Sequence, residues 1–177
     1  GASYKLYPCC YSTHAAIQAA IDLVDSNGGP FDYTAIARIE SFTSARGLAH
    51  TNRAFPKSAL DAKFSVQYCI VRALLHGQVL LEHFEGDAHL DAEIQDLLLR
   101  VHAGPYTGKI FDPDDLFDAE LKVHMTDGRI LVAKVDRPLG RTTDNPIPAG
   151  KIGAKFDDCA KRIFDAKTAE TVRRMLE

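Results

Sequence analysis

The stretch from Ala119 to Val135 constrains the fold more than any other: "AELKVHM", then "TDG", then "RILVAKV". Side chains of a β-strand point alternately to two faces, so alternating apolar and polar residues on either side of the break describe two half-buried strands. Asp127-Gly128 between them is a tight-turn pair, because glycine reaches the left-handed conformations that hairpin turns need. A hairpin with one apolar face needs a cover, and most of the remaining sequence repeats at the helical period that would supply it. The expectation is an α+β fold over residues 1–177 as a single domain, with an antiparallel sheet of about four strands packed with helices.

The other elements follow from the same periods. Ser12 or Thr13 is the expected N-cap of a helix running through Ile17, Ala20, Ile21 and Val24, which "SNGGP" ends. "YTAIARIES", Tyr33 to Ser41, reads as a strand anchored by Ile36 and Ile39. A loop with several basic residues, "SARGLAHTNRAFPK", spans Ser44 to Lys57. One helix is expected from Ser58 to His76, through Leu60, Phe64, Tyr68, Val71 and Leu75, with Gly77 as its cap. "LDAEIQDLLLR" makes a shorter helix, and "VHAGPY" from Val101 a further strand. "FDPDDLFD" lacks the glycine-centred spacing of a calcium loop and reads as a helix start or surface turn. After the loop "RPLGRTTDNPIPAG", two helices close the chain. Ile152, Phe156, Cys159, Ala160 and Ile163 stripe the first; Val172, Met175 and Leu176 mark the second.

Composition narrows the function classes. With 177 residues, 46% hydrophobic and 25% charged, the chain can build one real core. A net charge of −3 disfavours a coat for nucleic acid or anionic membrane. No apolar run approaches the ~20 residues of a membrane-spanning helix. No basic-then-apolar leader is seen either, so the expected location is cytoplasmic. Adjacent cysteines such as Cys9 and Cys10 rarely bridge each other, and there is no C-x-x-C pair. Cys69 and Cys159 fall on apolar helix faces and are expected in the core. None of the seven histidines forms an H-x-x-x-H pair, so no metal site is expected.

Chemistry concentrates in two places. "YKLYPCCYSTHAAIQAAIDL" brings Lys5, Cys9, Cys10 and His14 together before the first helix. His14 falls in the first helical turn on the packed side, where the helix dipole disfavours imidazolium. It could be a neutral proton acceptor or a buried tie between loop and helix. Lys5 could help an anion bind at the helix N-terminus or be a solvated charge. Cys9 could be an activated thiol or packing. The second place is the cationic set Arg46, His50, Arg53 and Lys57, followed by Lys63 and Ser65 in "DAKFS". Such a set suits a polycarboxylate, whose charges must be matched before a proton α to a carboxylate is removed. It could equally decorate a surface loop.

In combination these segments resemble the MmgE/PrpD family. The run K-x-Y-P-C-C-x-x-T-H from Lys5 to His14, leading into an alanine-rich helix, is similar to one family signature. "DAKFSVQYCIVRALLHG", Asp61 to Gly77, resembles a second, and "VHMTDGRILVAKV" and "KIGAKFDDCAKRIF" follow in the family's order. The resemblance implies the small α+β lid domain, with the returning C-terminal helices, of enzymes such as 2-methylcitrate dehydratase, cis-aconitate decarboxylase and iminodisuccinate epimerase. The start "GAS", without methionine, fits a C-terminal portion, with Gly1 and Ala2 as an expression scar. The implied partners are a helical N-terminal domain of the same protein, a small polycarboxylate substrate and a second copy in a homodimer.

The implied chemistry is cofactor-independent: a proton leaves α to a carboxylate, then water or CO2 departs or the proton returns on the other face. Lys5 matches the lysine that reaches the family's cleft, for carboxylate binding or proton transfer, and His14 matches the motif histidine. Lys63, Ser65, Arg53 and Cys10 are the substrate-binding candidates. The decarboxylase branch carries a histidine near the position of Cys10, which speaks against that activity here. The expected activity is that of a dehydratase-like hydro-lyase, with this chain alone inactive. A decarboxylase, an epimerase, a carboxylate-binding module and a dimerisation domain are the alternatives.

Overall fold

The computed structural model describes residues 4–106 and 117–176. "FDPDDLFD" up to residue 116, and Gly1 and Ala2, lie outside the described residues. The chain divides into two compact units, one from Tyr7 to Pro138 and one made of residues 4–6 with 139–176.

The larger unit holds a four-stranded sheet of order β2-β1-β3-β4, with β1 Ile36–Thr43, β2 Val101–Pro105, β3 Ala119–Met125 and β4 Ile130–Val135. Its helices are α1 His14–Asn27, α2 Ala45–Thr51, α3 Ala59–Ala62, α4 Val66–His76 and α5 Ala92–Leu98. The fold is α+β as expected. The hairpin β3–β4 forms where the alternation placed it, closed by Met125 N–H on Arg129 O at 2.8 Å, with Gly128 at φ 89°. β1 pairs antiparallel with β3 but parallel with β2, so the sheet is mixed where an antiparallel one was expected. The cause is the connection: α2 to α5 all lie between β1 and β2. A long crossover of this kind can return the chain to run alongside β1 in the same direction.

Ile36 and Ile39 are both fully buried although their odd spacing breaks strand alternation. A register shift between Ile36 and Arg38 absorbs the extra residue, after which Ile39, Ser41 and Thr43 alternate inward. The strand also starts later than expected, because Tyr33–Ala35 is a 3-10 turn capped by Asp32, which accepts from Thr34 N–H at 2.8 Å. On the opposite face Glu40 accepts from His124 at 2.7 Å, and Glu120 takes Lys122 and Lys134 at 3.1 and 2.8 Å.

α1 packs against α4 and against β3 and β4. Buried Ala15, Ala16, Ala19 and Ala20 let neighbouring backbones come close, and Ile17, Ile21 and Val24 fill the remaining space. Gly28, at φ 80°, ends the helix as expected. The start differs. A 3-10 turn, Tyr11–Thr13, runs straight into α1, and the Thr13 hydroxyl caps nothing; it donates to Cys10 O at 2.8 Å instead.

Two further corrections share one cause. The expected loop 44–57 contains α2, and the expected helix 58–76 is broken into α3 and α4. Ser44, Ser58 and Ser65 each accept a hydrogen bond from the backbone N–H three residues on, at 3.1, 3.1 and 3.0 Å. Each therefore starts a new helix. Leu60, counted in the apolar stripe, is left 68% exposed.

In α4, buried Arg72 bonds the Tyr68 hydroxyl at 2.9 Å, Ala88 O at 2.5 Å and Asp91 at 2.6 Å, and contacts His76 Nε2 at 3.0 Å. It ties the middle of α4 to the turn before α5.

The smaller unit contains α6 Ala149–Ala160 and α7 Ala166–Leu176. Cys69 is buried as expected, but Cys159 is exposed, and so are Ile152 and Ile163. Arg173 of α7 lies over Gly153, where a Cβ would stand 2.7 Å from Nη2, and pairs with Asp157 at 3.0 Å. That docks α7 on the Gly153–Asp157 face of α6, about a quarter-turn from the stripe carrying Cys159.

Arg72→Met should lower stability by about 2–4 kcal/mol, read as a shifted urea midpoint, because three buried or half-buried acceptors lose their donor. Stability should also fall with acid in two stages. Burial and Arg72 depress His76, so its protonation opposes folding once pH drops below the unfolded value of about 6.5. The hydrogen bond from Arg53 depresses Asp61 and that from His124 depresses Glu40. Their contribution is complete above the unfolded values near 4 and disappears as pH falls through the folded ones. Urea midpoints measured from pH 8 to pH 3 check both stages.

Candidate functional site

A cavity of about 330 Å³ opens in the larger unit, lined by Cys10, Ala49, His50, Asn52, Arg53 and Phe64. Ala49 and His50 come from the last turn of α2, and Asn52, its C-cap at φ −80° and ψ 77°, turns the chain out of the helix. Arg53 follows directly. Phe64 sits in the turn between α3 and α4.

The frame behind these residues is held by hydrogen bonds rather than by apolar packing alone. Ser65 Oγ donates to Arg53 O at 2.6 Å while accepting from Tyr68 N–H. Gln67 Nε2 donates to Asn52 Oδ1 at 2.6 Å. Cys10 N–H donates to Lys63 O at 2.8 Å. The first turn of α4 thus fixes both residues 52–53 and, through the turn before it, Cys10.

The Arg53 guanidinium pairs with Asp61 and lies 5.2 Å from the centroid of the Phe64 ring. Asp61 also accepts from Lys57 N–H at 3.0 Å. Its carboxyl is held below the usual range, first by the Arg53 bond and then by the Lys57 amide. Arg53 is 46% exposed, so the pair itself adds only about 0–1 kcal/mol of stability. Its effect is to orient a guanidinium at the cavity, where a planar donor fork suits a carboxylate.

The structure brings only some of the sequence candidates together. Cys10 and Arg53 line the cavity, with His50 from the basic set. Lys63 meets the frame through its carbonyl. Ser65 is fully buried with its hydroxyl committed to Arg53 and Tyr68. His14 is fully buried in the core, its ring 5.0 Å from Tyr7 and 4.7 Å from Tyr11, and neither ring nitrogen meets hydrogen-bond geometry. Lys5 belongs to the smaller unit, where it is exposed and its carbonyl accepts from the Lys155 ammonium. Asn52 and Phe64 were not singled out from the sequence. Phe64 could have been, since an aromatic ring close to Arg53 across a capped turn is a place to rest a guanidinium.

The profile of the MmgE/PrpD C-terminal domain matches residues 7–177. This chain belongs to the MmgE/PrpD family. A search among curated proteins returns no significant match. The MmgE/PrpD match includes every residue lining the cavity. Among the described residues no group of three or more His, Cys, Asp or Glu could hold a metal ion, and no helix is long and apolar enough to cross a membrane.

Ser65→Ala removes a helix cap and the link to Arg53 O together. It should cost about 1–2 kcal/mol in urea unfolding, while Ser58→Ala, which loses a cap alone, should cost less.

Proposed function

We propose that the chain is the lid portion of an MmgE/PrpD enzyme acting on small polycarboxylates, with the hydro-lyase chemistry of a 2-methylcitrate dehydratase. Family membership and the cavity support this reading together. The observation that carries it is the convergence of Arg53, His50, Asn52 and Cys10 on one cavity, with the Arg53 guanidinium over the Phe64 ring. A guanidinium held in place can take a carboxylate through two parallel N–H bonds, and an amide and an imidazole can take its remaining oxygens. Fixing the carboxylates lowers the barrier to removing an α-proton, because negative charge develops beside donors already oriented.

Within this reading Arg53 and Cys10 bind substrate, Lys5 is the carboxylate-binding cation or proton carrier, and His14 supports the Cys9–Cys10 segment from the core. Lys63 and Ser65 hold the frame. The cavity contributes the Arg53 guanidinium and hydrogen-bond donors, and in this reading a helical partner domain completes the site.

In the complete enzyme, Arg53→Ala should raise KM for 2-methylcitrate by about tenfold or more. Lys5→Ala should lower kcat, and unchanged turnover in that variant would remove the lysine from the mechanism. Calorimetric titration of this chain with tricarballylate separates the lid from a free-standing sensor. The lid reading expects binding no tighter than about 1 mM, and a Kd near 1 μM would favour the sensor.

A further inference from the structure

Behind the cavity wall the thiols of Cys9 and Cys69 occupy one buried spot that the proposed reaction does not use. Cys9 is 4% exposed and Cys69 0%. Backbone contacts on either side of a single turn bring them there. Cys10 N–H bonds Lys63 O at 2.8 Å, which lays the Cys9–Cys10 segment along the α3–α4 turn. Cys69 Sγ reaches back from α4 to Ala62 O at 3.8 Å, on the same turn. Thr13 Oγ1 lies 3.1 Å from Cys9 Sγ and interacts with Cys69 as well. His14, buried with both ring nitrogens lacking a hydrogen bond, stands beside Cys9.

This setting makes the two thiols unequal. Burial pushes the pKa of Cys9 up, but Cys69, His14 and Thr13 stabilise its thiolate and together bring it below the ordinary thiol value. Burial, then the neighbouring Cys9, push Cys69 well above that value. Two thiols held at one turn, one of them with its thiolate favoured by its neighbours, are the arrangement from which a disulfide forms on mild oxidation.

We infer that Cys9 and Cys69 are a redox modification site, converted to an intramolecular disulfide by a small peroxide. The Cys9 thiolate attacks one oxygen of hydrogen peroxide; the O–O bond breaks and hydroxide leaves, giving a sulfenic acid on Cys9. The hydroxide takes the Cys69 proton and becomes water. The Cys69 thiolate then attacks the Cys9 sulfur, the S–O bond breaks, and the departing hydroxide takes back from solvent the proton that Cys9 released on ionising, giving a second water. The two sulfurs lose two electrons and the peroxide gains them. The bond joins the segment carrying Cys10 to α4, so the wall of the cavity is locked in the oxidised chain. This inference does not depend on the substrate proposed above.

The test is to treat the folded chain with a few equivalents of hydrogen peroxide, alkylate the remaining thiols and map the cysteines by mass spectrometry. The expected product has lost two hydrogens, carries a Cys9–Cys69 link, and keeps Cys10 and Cys159 alkylated. It should melt several degrees higher than the reduced chain, with the difference abolished by dithiothreitol. Cys69→Ala should cut the linked fraction by about tenfold or more, and Cys10→Ala should leave it unchanged. A link through Cys10 or Cys159, or four fully alkylated thiols in wild-type chain that keeps its native circular dichroism, would overturn the inference.

Discussion

One hydroxyl group organises the region where chemistry is expected. Ser65 Oγ accepts from the first turn of α4 and donates to the carbonyl of Arg53, so a single buried atom both starts a helix and fixes a distant loop. A buried oxygen satisfied in both roles is inexpensive, whereas leaving either partner alone would cost a desolvated polar group. The cavity inherits its geometry from that constraint. Asn52 is held by Gln67 in the same first turn, and Cys10 by the Lys63 carbonyl two residues before the cap. Two stretches of the cavity wall far apart in sequence, residues 52–53 and Cys10, are thereby referred to one rigid helix end.

The cavity also shows how an exposed charge gains direction without strong binding. Asp61 and the Phe64 ring hold the Arg53 guanidinium from two sides. The ion pair contributes little to stability because water competes for both partners. What it removes is rotational freedom, the main entropic cost of placing a long side chain against an anionic ligand.

Much of this was legible in the sequence, and the failures have a common physical origin. Signals confined to a few residues were reliable: the alternation around Asp127-Gly128, the glycine stop at Gly28, and the packed side of α1 bearing His14. The apolar stripe through Leu60, Phe64 and Tyr68 was misleading because it keeps helical spacing across a break. The serine caps that make the break lie inside the stripe, where periodicity cannot see them. The parallel pairing of β1 with β2 depends on where a chain of nearly sixty residues returns, which no local pattern encodes. Cys159 sits on a regular apolar stripe, yet the choice of docking face was made by Gly153 and Arg173 instead. Arg53, singled out with the basic loop, and Cys10, singled out by the resemblance, both line the cavity. Ser65 was singled out for a hydroxyl that faces inward to hold the frame.

The central claim is that the cavity between the end of α2 and the α3–α4 turn recognises carboxylate groups. Two-dimensional amide NMR of the isotopically labelled chain, titrated with propane-1,2,3-tricarboxylate, tests it at the level of single residues and tolerates weak affinity. The account requires saturable shifts concentrated at Cys10, Ala49 to Arg53 and Phe64, with the sheet residues of β3 and β4 unmoved. Saturable shifts centred on another surface, with these positions unmoved, would contradict it.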